Sequence, residues 1–107
     1  MKKGFEMFKR PPVDRIFLRE SIVEELKEVI ETKCKDKKRK IFSCLFKNSP
    51  KLRRRFRDKI KDFRFLKDIY YIFNLEMSLV FGITIQYETF RALFYKYFPE
   101  WREGEME

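Results

Sequence analysis

The 107-residue chain has no histidine. That removes the commonest general base and the commonest metal ligand together. The remaining groups able to do chemistry are carboxylates, tyrosines, two cysteines and many cations. Glu20, Glu24, Glu28 and Glu31 recur at three- and four-residue spacings, so a helix puts them on one surface. A Mg²⁺ ion can be drawn among them, but such a face is ordinarily solvated. Tyr70, Tyr71, Tyr87, Tyr95 and Tyr97 offer hydroxyls of the kind used in strand transfer, yet no compact Arg/His cluster accompanies them. Cys34 and Cys44 fall two soft ligands short of a zinc site, which would have to be completed across a dimer. The chain therefore reads as a non-enzyme with no catalytic residue, cofactor or metal.

The cations carry more information. The net charge is +9, and it is concentrated in the middle third. Residues 33–40 (KCKDKKRK) hold six basic groups against one acid, and residues 51–64 (KLRRRFRDKIKDFR) hold eight against two. Residues 14–32 and 99–107 are each net −3, and 65–98 is neutral. Such a block attracts polyanions, nucleic acid first and an anionic membrane surface second. Solubility alone requires far less charge.

The elements that must position these residues are helical. Only three Gly and four Pro occur, beside 13 Phe, five Tyr and one Trp. Few large aromatics suffice to fill a small helical core. A basic arm, 1–13, ends at Pro11-Pro12. Asp14 stands as N-cap of a helix running to about Thr32, with Ile16, Ile22, Val23, Leu26, Val29 and Ile30 on one face. That apolar width predicts a homodimer surface on helix 14–32. Lys33–Lys40 is a helical extension or a loop, and Ile41–Lys47 a short helix. Ser49 caps a helix over Pro50–Asp62, and Pro50 fits its first turn. Its stripe is Leu52, Phe56, Ile60 and Phe63. A helix near Phe65–Phe81 follows, with Leu66, Ile69, Phe73, Met77 and Val80 inward and Phe65, Ile72 and Leu79 broadening the stripe. Gly82 ends it. The last helix, Gln86–Phe98, stops at Pro99, with Phe90, Leu93, Phe94 and Tyr97 on one face. The expectation is an all-α bundle of four or five helices: one domain over 14–98, then an acidic tail, 99–107, anchored by Trp101.

The longest uncharged run, Met77–Tyr87, is eleven residues, too short to span a bilayer. No signal peptide is evident, so a soluble cytoplasmic protein without membrane partners is expected. One Gln, two Asn and abundant Lys, Arg and Glu match a thermophile's bias. Cys34 and Cys44 are expected as reduced thiols, with Cys44 a small core residue. In a thermophile an intracellular disulfide between them stays open.

Helix, Gly82, Ile83-Thr84-Ile85 and helix follow in the order of a helix-turn-helix over about 65–98. The run FLKDIYYIF…FGITIQYETFRALFYKYFPE resembles the DNA-binding segments of insertion-sequence transposases and of plasmid or phage regulatory proteins, over about residues 64–100. The matching positions are Gly82, Ile83, Ile85, Tyr87, Thr89, Phe90 and Arg91. The resemblance implies that Ile83 and Ile85 lock the linker, Phe90 anchors the recognition helix, and Gln86, Thr89 and Arg91 read base edges. Two departures are that Gln86 replaces the usual cap Ser, and that the helix has only Arg91 and Lys96 as cations. Phosphate contacts are then expected mainly from Lys51, Arg53, Arg54, Arg57, Lys61 and Arg64, helped by Tyr95 and Lys96. The implied function is duplex-DNA binding by a regulator or accessory factor of a mobile element. The alternatives are a viral or plasmid protein-interaction module or inhibitor, and an RNA-binding protein.

Overall fold

The break at Asn48-Ser49-Pro50 separates two helices. The computed structural model describes residues 16–37 and 39–104. Ser49 is extended there (φ −123°, ψ 93°), and its Oγ accepts the Leu52 N–H at 3.2 Å. Pro50 takes the first turn, where a helix has no use for its missing N–H. The helices are α1 (Glu20–Thr32), α2 (Ile41–Asn48), α3 (Pro50–Lys59) with a closing 3₁₀ turn (Ile60–Asp62), α4 (Leu66–Phe81) and α5 (Tyr87–Tyr97). No strand occurs among the described residues. The all-α class and the five helices are those that periodicity and breakers predict. Among the described residues no helix is long and apolar enough to cross a membrane.

Phe56 is fully buried at the centre of the core. Its ring centroid lies 4.3 Å from Phe17, 4.8 Å from Phe73, 4.9 Å from Phe46 and 5.8 Å from Phe98. Such pairs add about 0.5–1.5 kcal/mol each beyond the area they bury. Phe56, Ile60, Ile69, Phe73, Phe90, Leu93 and Phe94, the expected core, are all buried. A chain that is 40% charged thus closes its interior with a few large rings.

Three expectations need correction. The first helix starts at Glu20, not near Asp14, and its N-cap Arg19 makes no side-chain cap bond. Asp14 and the 1–13 arm lie outside the described residues. Ile16, Phe17 and Leu18 donate their backbone N–H groups to the Glu76 carboxylate at 2.7, 3.1 and 2.8 Å. Arg55 Nε donates to the Ile16 carbonyl at 2.7 Å. Backbone held from α3 and α4 in this way does not wind into α1.

The apolar residues of helix 14–32, read from the sequence as a dimer surface, are covered within the chain itself. Ile22, Val23, Leu26 and Val29 are buried within the chain, and Ile30 is half-buried. α2 and α3 cover the apolar width of α1.

Phe65 and Leu79 do not broaden the buried stripe of α4. They are 51% and 76% exposed, beside exposed Tyr71 and Leu75. The core touches one side of α4 only.

Cys34 and Cys44 form a disulfide, with Cα atoms 6.0 Å apart, rather than two thiols. Of the two alternatives for Lys33–Lys40, the described residues 33–37 and 39–40 take the loop with turns.

Candidate nucleic-acid interface

The cations of α3 and of the segment that follows it, through Arg64, divide by what they touch. Lys51, Arg54, Arg57, Lys61 and Arg64 are exposed. Arg53 is half-buried, and its Nη1 donates to the Phe46 carbonyl and, at 2.9 Å, to the Lys47 carbonyl. Those carbonyls end α2 without intrahelical partners, and a cation suits that negative dipole end. Arg53 therefore joins α2 to α3 in this fold. Arg55, not among the expected contacts, is likewise half-buried and bound to Ile16. Two salt bridges occur among the described residues: Lys61–Asp58 at 3.9 Å and Lys59–Asp62 at 3.8 Å. Both are between residues three apart in sequence, solvent-screened and weak. Lys51, Arg54, Arg57 and Arg64 keep their charge without an acidic partner among the described residues.

The linker before α5 is held by side chains of α4. Gly82 ends α4 in the left-handed conformation (φ 69°), and its N–H donates to Ser78 O at 2.9 Å. Its positive φ favours glycine there. Ile85 is fixed twice: its N–H donates to Asn74 Oδ1 at 2.9 Å, and its carbonyl accepts the Tyr70 hydroxyl at 2.9 Å. Ile83 and Ile85 are half-buried against the core. Neither polar partner was expected from sequence, because both contacts cross from one element to another.

Gln86 is the extended N-cap of α5 and makes no side-chain cap bond. Gln86, Thr89, Arg91 and Lys96 are exposed, and Tyr95 is half-buried. The Arg91 guanidinium lies 5.5 Å from the Tyr95 ring centre, and Lys96 Nζ 5.9 Å from that of Tyr97. Burial, then the nearby Glu103 carboxylate, pushes the Tyr87 phenol above its ordinary range, against an opposing pull from Arg91. A raised pKa keeps that hydroxyl protonated near neutrality, opposite to what an activated nucleophile requires.

α3 and α5 meet through Phe56 and Phe90, whose centroids are 6.5 Å apart. Arg57 lies 5.7 Å over the Phe98 ring. Arg57 thus borders the trailing end of α5. Gln86 and Thr89 stand at the other end of this 11-residue helix, about 16 Å away at helical rise.

The tail is tied back to the 3₁₀ turn and α4. Trp101 Nε1 donates to the Ile60 carbonyl at 3.0 Å, Leu66 N–H to Glu103 Oε2 at 2.8 Å, and Gly104 N–H to the Arg64 carbonyl at 2.8 Å. Among the described residues no three His, Cys, Asp or Glu side chains come together as metal ligands. No family model, curated protein or solved structure matches this chain.

Proposed function

We propose that the chain is a non-catalytic nucleic-acid-binding protein. Its phosphate contacts come from Lys51, Arg54, Arg57, Lys61 and Arg64, with Tyr95 and Lys96 alongside. Duplex DNA is the favoured partner, with Gln86, Thr89 and Arg91 turned to base edges. That assignment follows the resemblance of residues 64–100 to the DNA-binding segments of transposases and plasmid or phage regulators. A role as regulator or accessory factor of a mobile element goes with it.

The observation that carries this reading is that Lys51, Arg54, Arg57 and Arg64 are exposed with no acidic partner among the described residues. Uncompensated charge at this density gains free energy by releasing counterions from a phosphate backbone. One observation favours a single strand or RNA instead: Phe65, 51% exposed, directly follows exposed Arg64. An exposed ring at the edge of a basic surface suits base stacking.

Band-shift titrations with duplex DNA, single-stranded DNA and RNA at two salt concentrations test both. Duplex binding should weaken by about 10²–10³-fold over a fourfold rise in salt if four or five phosphates are neutralised. Stronger single-strand binding that is lost in Phe65→Ala selects the second reading. No binding to any of the three at low salt rejects both.

A further inference from the structure

Residues 35–40 read KDKKRK, without one apolar side chain. No hydrophobic contact can give this segment a shape. Its like charges repel, and an untied segment of this composition would spread into solvent. Its described residues, 35–37 and 39–40, are nevertheless drawn together. The Cys34–Cys44 disulfide joins residues ten apart. Inside the closure, Lys37 N–H donates to the Cys34 carbonyl at 3.1 Å, and Lys40 N–H to the Lys37 carbonyl at 3.0 Å. The base is firm. Cys34 is 1% exposed, and its N–H donates to Val29 O in the last turn of α1 at 3.1 Å. α1 and α2 also pack directly against each other.

The closed loop forms an open concavity of about 420 Å³ lined by Lys35, Asp36, Lys37, Arg39 and Lys40. Lys35, Lys37, Arg39 and Lys40 are exposed. Asp36 forms no salt bridge with any of them among the described residues. Four exposed cations around one concave surface, in a loop whose flanking cysteines are covalently joined, match a string of phosphates in charge.

We propose that this disulfide-closed loop is a second phosphodiester-backbone site, and that the Cys34–Cys44 bond gives it its binding shape. The proposal rests on the nucleic-acid reading and adds a contact separate from α3 and α5. A dithiol reductant opens the site. It supplies two electrons and two protons, leaves Cys34 and Cys44 as thiols, and closes to its own cyclic disulfide.

The experiment is a salt series of binding to a short duplex DNA of random sequence. It compares the oxidised chain, the dithiol-reduced chain, and an oxidised chain carrying Lys35→Gln, Lys37→Gln, Arg39→Gln and Lys40→Gln. Circular dichroism follows the helices in each. The Gln substitutions are at exposed positions, so that chain keeps its fold even if reduction were to loosen α1 against α2. The reduced chain should bind about tenfold more weakly, equivalent to about 1.4 kcal/mol. The Gln chain should lose about four counterions from the slope of log affinity against log salt, at roughly one per phosphate contact. It should also show no response to the dithiol. Equal affinity and slope in the oxidised and Gln chains overturn the site. A Gln chain that weakens, with reduced and oxidised chains equal, overturns the role of the bond. If no form binds duplex DNA, the nucleic-acid reading fails as a whole, and that outcome is distinct from the other two.

Discussion

Glu76 Oε1 accepts the Leu18 backbone N–H at 2.8 Å, across 58 residues of sequence. The same carboxylate takes the N–H groups of Ile16 and Phe17, and it is 8% exposed. One acidic side chain on α4 thereby fixes the segment that carries Phe17 into the core.

Glu76→Ala leaves these donors without their acceptor. A loss of about 3 kcal/mol is expected, since hydrogen bonds to a charged group are worth roughly 1.5–3 kcal/mol and orphaned buried donors add to it. Glu76→Gln should fall between, because its amide nitrogen cannot accept. Urea unfolding measures both, and a loss below about 1 kcal/mol for the Ala variant would show that Phe17 is placed by other contacts.

Ser49 is fully buried and works in two directions. Its Oγ accepts the Leu52 N–H and donates to Glu25 Oε1 at 2.6 Å. Ser49→Ala should cost about 2 kcal/mol, the upper end for an N-cap. A double-mutant cycle with Glu25→Gln should show coupling above about 0.5 kcal/mol. Additive losses would mean that Glu25 and Ser49 act separately.

Two apolar residues of α4 should behave oppositely. Leu79 is 76% exposed and Ile69 fully buried. Leu79→Ser should change stability by less than about 0.5 kcal/mol, whereas Ile69→Ala should cost about 2–5 kcal/mol. A large loss at Leu79, seen by thermal or urea unfolding, would reveal a covering partner on that face.

Alkaline stability should depend on Tyr87. Burial and the Glu103 carboxylate raise its pKa in the folded chain. As pH climbs through about 10, the ordinary tyrosine value, the unfolded chain loses this proton before the folded one does. Unfolding is then favoured. Tyr87→Phe removes that contribution and should soften the fall in stability above pH 10 relative to the parent chain. Parallel curves for the two chains would count against it.

In the binding assay, Arg54→Ala and Arg91→Ala should differ in kind. Losing Arg54 should weaken all duplexes alike and reduce the salt slope by about one ion. Losing Arg91 should flatten preference among sequences, by about 1–3 kcal/mol at the base pair concerned. Indistinguishable effects on slope and preference would remove the distinction between a backbone face and a reading end.

The helices and their limits were largely legible in the sequence, because their causes are local. Ser49-Pro50 starts α3, Gly82 ends α4, and the spacings of Phe56, Ile60, Ile69, Phe73, Phe90 and Phe94 mark the buried faces. Each signal lies within a few residues of what it determines. The α3 charge block was equally plain, but not the separate task of Arg53, whose guanidinium reaches the end of α2. Tertiary structure alone decided the rest. Periodicity assigns Ile16 to a helix face, and cannot know that Glu76, 60 residues away, takes its N–H. It assigns Leu79 to an apolar stripe, and cannot know that the core covers only one side of α4. It assigns Ile22 and Leu26 to an apolar face, and cannot say whether this chain or a second copy covers it. The closure of 35–40 follows the same logic: two cysteines ten residues apart pair only once α1 and α2 pack and bring their Cα atoms to 6.0 Å.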